Sequence, residues 1–322
     1  MNIGDVVQIA GCSTKRRLLE TSSGSEAFDT LCGGALPNSG IVLLNEPRSR
    51  KFHTFLTRYF LAEGLHHKHA CVIIGPDSDN NEVLRSGIPS RKEAEVRAEP
   101  RNQPAGDDAL RIAWRYENAR AEPANLSKKE SYDFFAPIED PQDVVVFSSC
   151  SYRDVYEFIS NTINQDEKHT KTSGRGGPPK NFLRVVIQNI GSPLWTDSED
   201  LPKFLILLRA LMRTAYGIVY LSTNSLNLSE KLARQLEVVA DIHVELVAFK
   251  DEEKQQMKHL GPANGYFRLV SLSRLATVGT HTPPILDLVF EASRKGFEIR
   301  VLHLPPAVNE PSPAKNACNV DF

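Results

Sequence analysis

The residues of this chain best spaced for chemistry are Asn45-Glu46-Pro47-Arg48-Ser49-Arg50-Lys51-Phe52, which follow a short apolar run and precede a helical pattern. Strand, loop and helix in that order bind a phosphate chain when the loop reads Gly-x-x-x-x-Gly-Lys-Ser/Thr. The glycines let backbone amides wrap the phosphates, the lysine reaches the terminal ones, and the hydroxyl holds magnesium. Here both glycines are absent, Pro47 removes an amide donor, and Phe52 stands where a hydroxyl should follow Lys51. Arg48, Arg50 and Lys51 still bring positive charge to a helix N-terminus, which attracts anions in its own right. A phosphate-transferring enzyme also needs an acidic residue after a later buried strand, to hold magnesium through water. The best candidate, Val185 to Ile187, runs instead into Gln188-Asn189-Ile190-Gly191, whose amides carry no charge. Two independent losses point to a scaffold that persists without the chemistry, and no catalytic residue is assigned.

Other groupings read as structure. His66-His67-Lys68-His69 falls in a turn between a helix and a strand and lacks a nearby carboxylate or cysteine, so it reads as a solvated turn and no metal site is expected. Trp114, Arg115 and Tyr116 have the chemistry to stack on a base, yet beside Ile112 they read as a packing face. Asp140, Asp143, Asp154 and Glu157 form no paired-carboxylate pattern, and no Ser-His-Asp or Cys-His constellation stands out.

Positioning the loop falls to the elements around it. Ile41 to Leu44 is a buried strand, Phe52, Phe55, Leu56, Tyr59, Phe60 and Leu61 recur at helical spacing until Gly64, and Ala70 to Gly75 is a second buried strand. Such a βαβ unit implies a parallel sheet covered by helices. Strands are then predicted at 143–147, 182–187 and 217–221, with helices at 152–163, 202–214 and 229–236. Four apolar runs at 243–249, 266–273, 286–290 and 297–302, joined by short turns, read as an antiparallel extension. The expected fold is α/β, a central, mostly parallel twisted sheet with flanking helices and an antiparallel C-terminal extension, in one domain over 24–306. Residues 1–23 are expected to be flexible, 76–109, 120–131 and 165–180 to be disordered insertions, and 307–322 a disordered tail.

Composition narrows the classes. The 322 residues are 41% hydrophobic, enough for a large core, and contain no apolar run long enough to span a bilayer. No membrane partner is expected. Five widely spread cysteines without a Cys-x-x-Cys pair suit reduced thiols in the cytoplasm, with the nucleus as a second compartment. With 38 basic and 40 acidic residues the net charge is −2, so any nucleic-acid binding must use a local patch or a surface shared with other chains.

The run Phe28-Asp29-Thr30-Leu31-Cys32-Gly33-Gly34-Ala35-Leu36-Pro37 leading into a buried strand resembles the RecA-type ATPase fold. The segments 58–64, 112–117, 191–195, 204–213 and 301–306 are similar, in order, to the family of Elongator complex fourth subunits of PAXNEB type. The resemblance implies a RecA-like fold without the phosphate-loop signature. It implies a heterohexameric ring with Elongator subunits five and six, and contact with the remaining Elongator subunits. It further implies that the ring binds tRNA during wobble uridine (U34) modification, with the chemistry in another subunit and ATP at ring interfaces as the one cofactor left open. By analogy with RecA-like rings, Gly191, Ser192, Trp195, Asn224 and Ser225 are the tRNA-facing residues, and Arg48, Arg50 and Lys51 lie at a subunit junction. The alternatives are an active RecA- or KaiC-like ATPase with a divergent phosphate loop, or an adaptor without a nucleic-acid role.

Overall fold

The computed structural model describes residues 8–15, 18–48, 50–92, 131–164, 168–170, 180–256, 262–275, 281–283 and 285–302. The predicted insertions at 93–109, 120–130, 165–167 and 171–179, the 110–116 apolar island and the 307–322 tail lie outside the described residues. The first half of the chain builds β1 (Cys12–Lys15), β2 (Leu18–Thr21), α1 (Glu26–Leu31), β3 (Leu36–Pro37), β4 (Ile41–Asn45), α2 (His53–His66) and β5 (Ala70–Gly75). Then come α3 (Ser78–Ser86), β6 (Pro89–Arg91), β7 (Tyr132–Pro137), β8 (Val144–Ser148), α4 (Tyr152–Ile163), β9 (Leu183–Ile187) and α5 (Leu201–Met212). The remainder gives β10 (Gly217–Thr223), α6 (Glu230–Val239), β11 (Ile242–Ala248), α7 (Asp251–Gln256), β12 (Gly265–Ser271), β13 (Leu288–Ser293) and β14 (Gly296–Val301).

Nine strands form the central sheet in the order β14-β13-β12-β11-β4-β10-β9-β5-β8. From β11 to β8 every neighbouring pair is parallel, and β12, β13 and β14 are antiparallel. All residues of β4, β9 and β10 are buried, which is why they read as continuous apolar runs: both faces are covered. On one face Phe28 of α1 and Tyr59 and Phe60 of α2 pack on the sheet, with Phe60 stacked on Tyr220 at 4.0 Å between ring centres. On the other, Tyr152, Ile159, Phe204, Leu205, Leu208 and Leu236 from α4, α5 and α6 close a second core.

Four expectations need correction. The run at 243–249 is not antiparallel to its neighbour on the inner side. β11 pairs parallel with β4, because α6 carries the chain back across the sheet before it starts; the direction first reverses between β11 and β12, across a connection that holds α7, and the one short turn of the extension joins β13 to β14. Gly64 does not end α2, which continues to His66. A Cβ at Gly64 would fall 2.6 Å from Arg184 Cδ and 2.5 Å from Cys71 Sγ, so the missing side chain makes room for a buried arginine. Part of the expected flexible N-terminus is a hairpin, β1 on β2, held to the core through Thr21 and Ser22. The start of the insertion expected from residue 76 is regular, with α3 capped by Asp77, whose side chain accepts from the Asp79 and Asn80 amides.

Candidate functional site

The residues singled out by type and spacing converge on the carboxyl ends of β4, β9 and β10, where ligands of open α/β sheets bind. The loop from β4 to α2 begins with Glu46, which is 1% exposed. Its Oε1 accepts from the backbone N–H of Arg50 at 2.5 Å and of Phe52 at 3.2 Å. Its Oε2 accepts from the backbone N–H of His53 at 3.2 Å and from His53 Nδ1 at 2.6 Å. Burial pushes this carboxyl up, but the His53 ring and the surrounding amides outweigh it and hold the group below the usual carboxylate range. The carboxylate therefore sits, ionised, among the amides at the start of α2. Phe52 offers that helix no side-chain cap, and Glu46 supplies one from six residues upstream.

The basic residues of the loop are turned to different tasks. Arg48 donates to the Ala248 carbonyl at 2.7 Å, beyond the end of the site, and meets Glu253 at 3.5 Å. Lys51 adopts φ +62°, a left-handed conformation that glycine takes without strain. Its Nζ reaches Asn80 Oδ1 of α3 at 3.0 Å. Arg50 is exposed.

At the end of β9, Gln188 stands where an acidic magnesium holder would be. It accepts from Asn80 Nδ2 at 2.9 Å and donates to Asn81 Oδ1 at 2.6 Å. Asn81 in turn donates to the Gly75 carbonyl at 3.1 Å and to Ser148 Oγ at 3.2 Å. Lys51, Asn80, Gln188 and Asn81 thus form a chain of neutral amides fed by one ammonium, with no carboxylate among them.

The two loops expected to face tRNA meet each other. Gly191, at φ +76°, lies so close to Leu228 that a Cβ would fall 2.4 Å from Leu228 Cδ2, and its N–H donates to Tyr152 Oη at 2.9 Å. Asn45, at the end of β4, donates to Ser225 Oγ and accepts from Ser225 N–H, both at 3.0 Å, so the second loop is also tied to the end of β4. Asn224 accepts from Leu226 N–H at 3.1 Å. Ser192 Oγ is buried and has no hydrogen-bond partner among the described residues. Trp195 belongs to the core: it is 2% exposed, stacks on Tyr152 at 4.4 Å and donates Nε1–H to the Asn189 carbonyl at 2.9 Å. Pro193, Leu194, Leu226 and Asn227 are the exposed residues of these loops, with Leu194 and Leu226 54% and 72% exposed.

A family model described as PAXNEB protein matches residues 11–321. The chain belongs to the PAXNEB protein family. Among its relatives, Elongator complex protein 4 of Homo sapiens is 28% identical over 351 residues, covering 95% of this chain and 82% of that protein. Elongator complex protein 4 of Drosophila melanogaster is 26% identical, covering 92% of this chain and 90% of its own length. The Danio rerio protein of the same name is 24% identical, with coverage of 92% and 84%.

Three parts of the candidate site do not follow from residue type and spacing. Type and spacing give Glu46 no role; the signal for one is a helical pattern that begins at Phe52 without a capping residue. Asn80 and Asn81 fell in the segment read as an insertion. The His66–His69 cluster is not a solvated turn throughout. His69 is 3% exposed, its Nδ1 accepting from Arg184 Nε at 3.0 Å and its Nε2 donating to the Ala10 carbonyl at 2.7 Å. Arg184, fully buried in β9, also donates to the Phe60 carbonyl, Thr21 Oγ1 and the Ser22 carbonyl at 2.9, 2.8 and 3.0 Å.

Proposed function

We propose that this chain is a non-catalytic, RecA-like subunit of an Elongator complex. In this reading it joins Elongator subunits five and six in a heterohexameric ring that binds tRNA during wobble uridine (U34) modification. The observation that carries the reading is the chain-wide similarity to proteins named Elongator complex protein 4, nine-tenths or more of this chain in each of the three relatives above. The local chemistry agrees with an accessory role, because the cradle that an ATPase would offer to phosphate is filled by Glu46 and the acidic magnesium holder is replaced by Gln188.

Within the ring, Gly191, Ser192, Asn224 and Ser225 would turn their loops toward tRNA, while Trp195 braces them from below. Neither loop carries a lysine or arginine between residues 191 and 195 or 224 and 228, so attraction for the phosphate backbone comes from other residues and other chains. Arg50 and Lys51 are both exposed, and since Lys51 is bonded to Asn80, Arg50 would be the one to face a neighbouring subunit or a nucleotide that the neighbour holds. The compartment proposed is the cytoplasm, with the nucleus second. The remaining Elongator subunits complete the set of partners, and no membrane is involved.

The test is the native mass of this chain alone and mixed with the fifth and sixth subunits of the same organism. The expected result is a species of about six subunits that forms only when all three are present and that binds tRNA with an affinity falling steeply as salt rises. A chain that stays apart from both partners overturns the reading.

A further inference from the structure

Four donors converge on the two oxygens of one buried side chain: the N–H groups of Arg50, Phe52 and His53, and the His53 ring. An ionised carboxylate has about four acceptor positions, so Glu46 is saturated by them. The same three amides, lying where the loop turns into a helix of 14 residues, are the groups that would grip a phosphate in this type of loop. A phosphate entering here would have to displace the carboxylate from every one of its bonds, or else sit against a buried negative charge. A nucleoside triphosphate therefore does not fit this loop. Lys51 is also turned away, to Asn80 on α3.

We infer that Glu46 is an internal surrogate for phosphate: it satisfies the amide cradle and the N-terminus of α2, holds the loop closed, and keeps phosphate and nucleotide out. The inference goes beyond the loss of a motif. Missing glycines would leave a weak site, whereas a carboxylate bonded to the cradle leaves an excluded one. It concerns the loop alone and stands whether or not the chain enters a ring.

The experiment titrates inorganic pyrophosphate into the isotope-labelled full chain and follows the backbone amide signals of Arg50, Phe52 and His53. Three proteins are compared: wild type, Glu46→Gln and Glu46→Ala. In the wild type these signals stay in place. In Glu46→Ala they shift and saturate at a pyrophosphate concentration at least about tenfold below any response of the wild type, the size expected for freeing charge-assisted donors. Glu46→Gln, which keeps one acceptor but loses the charge, falls between the two. A saturable shift of these amides in the wild type overturns the inference, as does a folded Glu46→Ala whose amides do not respond. Should Glu46→Ala fail to fold, the wild type and Glu46→Gln decide the matter, and identical behaviour of those two overturns it.

Discussion

Arg184 and His69 show how one buried charge can fix the protonation of its neighbour. Arg184 keeps all its protons, so its Nε–H must donate, and the His69 Nδ1 that receives it must be bare. Nε2 then carries the proton and gives it to the Ala10 carbonyl. Adding a second proton would set two N–H groups against each other in a buried place. Burial first, and the Arg184 charge second, hold His69 down at about 4, against an ordinary value of 6.5. Between those values the unfolded chain binds more protons than the folded one. The stability that His69 contributes is thus complete above pH 6.5 and is lost as pH falls toward 4, by at most about 3 kcal/mol. Asp29 acts in the opposite sense. Burial raises it from 3.8 to about 6, against lowering by Ser22 and Ser23, so its contribution is lost as pH rises through that range. Denaturant unfolding at pH 7 and pH 4.5 separates the two: the loss on acidification should be smaller in His69→Gln than in the wild type, and equal losses would count against this arrangement. None of it was legible in the sequence, where His69 sat in a polar cluster and Arg184 was one charge in an apolar run. That charge was the available signal, since an arginine inside a buried strand demands partners from several elements at once.

At the scale of elements, β4, α2, β5, β9 and α5 were readable because each is long enough for its period to show and each is bounded by glycine, proline or polar turns. The direction of β11 was not, because apolar runs say nothing about which way a strand points. The connection does, and α6 is a crossover. The same blindness to depth affected the loop after β9. Trp195 lies among turn residues, which makes it look like a surface aromatic, yet it is buried and stacks on Tyr152, whose ring also stacks on Phe204. Two substitutions in neighbouring loops should therefore behave oppositely. Trp195→Ala removes a stacked, buried indole and should cost about 3–5 kcal/mol in denaturant unfolding. Leu226→Ser, at a position 72% exposed, should change stability by less than about 0.5 kcal/mol. If Trp195→Ala left stability intact, the indole would be free for a ligand after all.

The described residues build a nine-stranded sheet with helices on both faces, beside a three-stranded and a two-stranded sheet, and the candidate site lies along the edge formed by the carboxyl ends of its central parallel strands. Among the described residues no helix is long and apolar enough to cross a membrane. The site's three loops are cross-linked: β4 to the loop after β10 through Asn45 and Ser225, and the loop after β9 to it through Gly191 and Leu228. That edge was legible as a place before its contents were, since loop position follows from strand order while the partner of each side chain does not. A scaffold for phosphate chemistry whose cradle holds Glu46 and whose lysine holds Asn80 should turn over no ATP by itself. The direct measurement is magnesium-dependent ATP hydrolysis by the isolated chain beside its Lys51→Ala variant. The account predicts background rates that are the same for both, and turnover in the wild type that disappears in Lys51→Ala would contradict it.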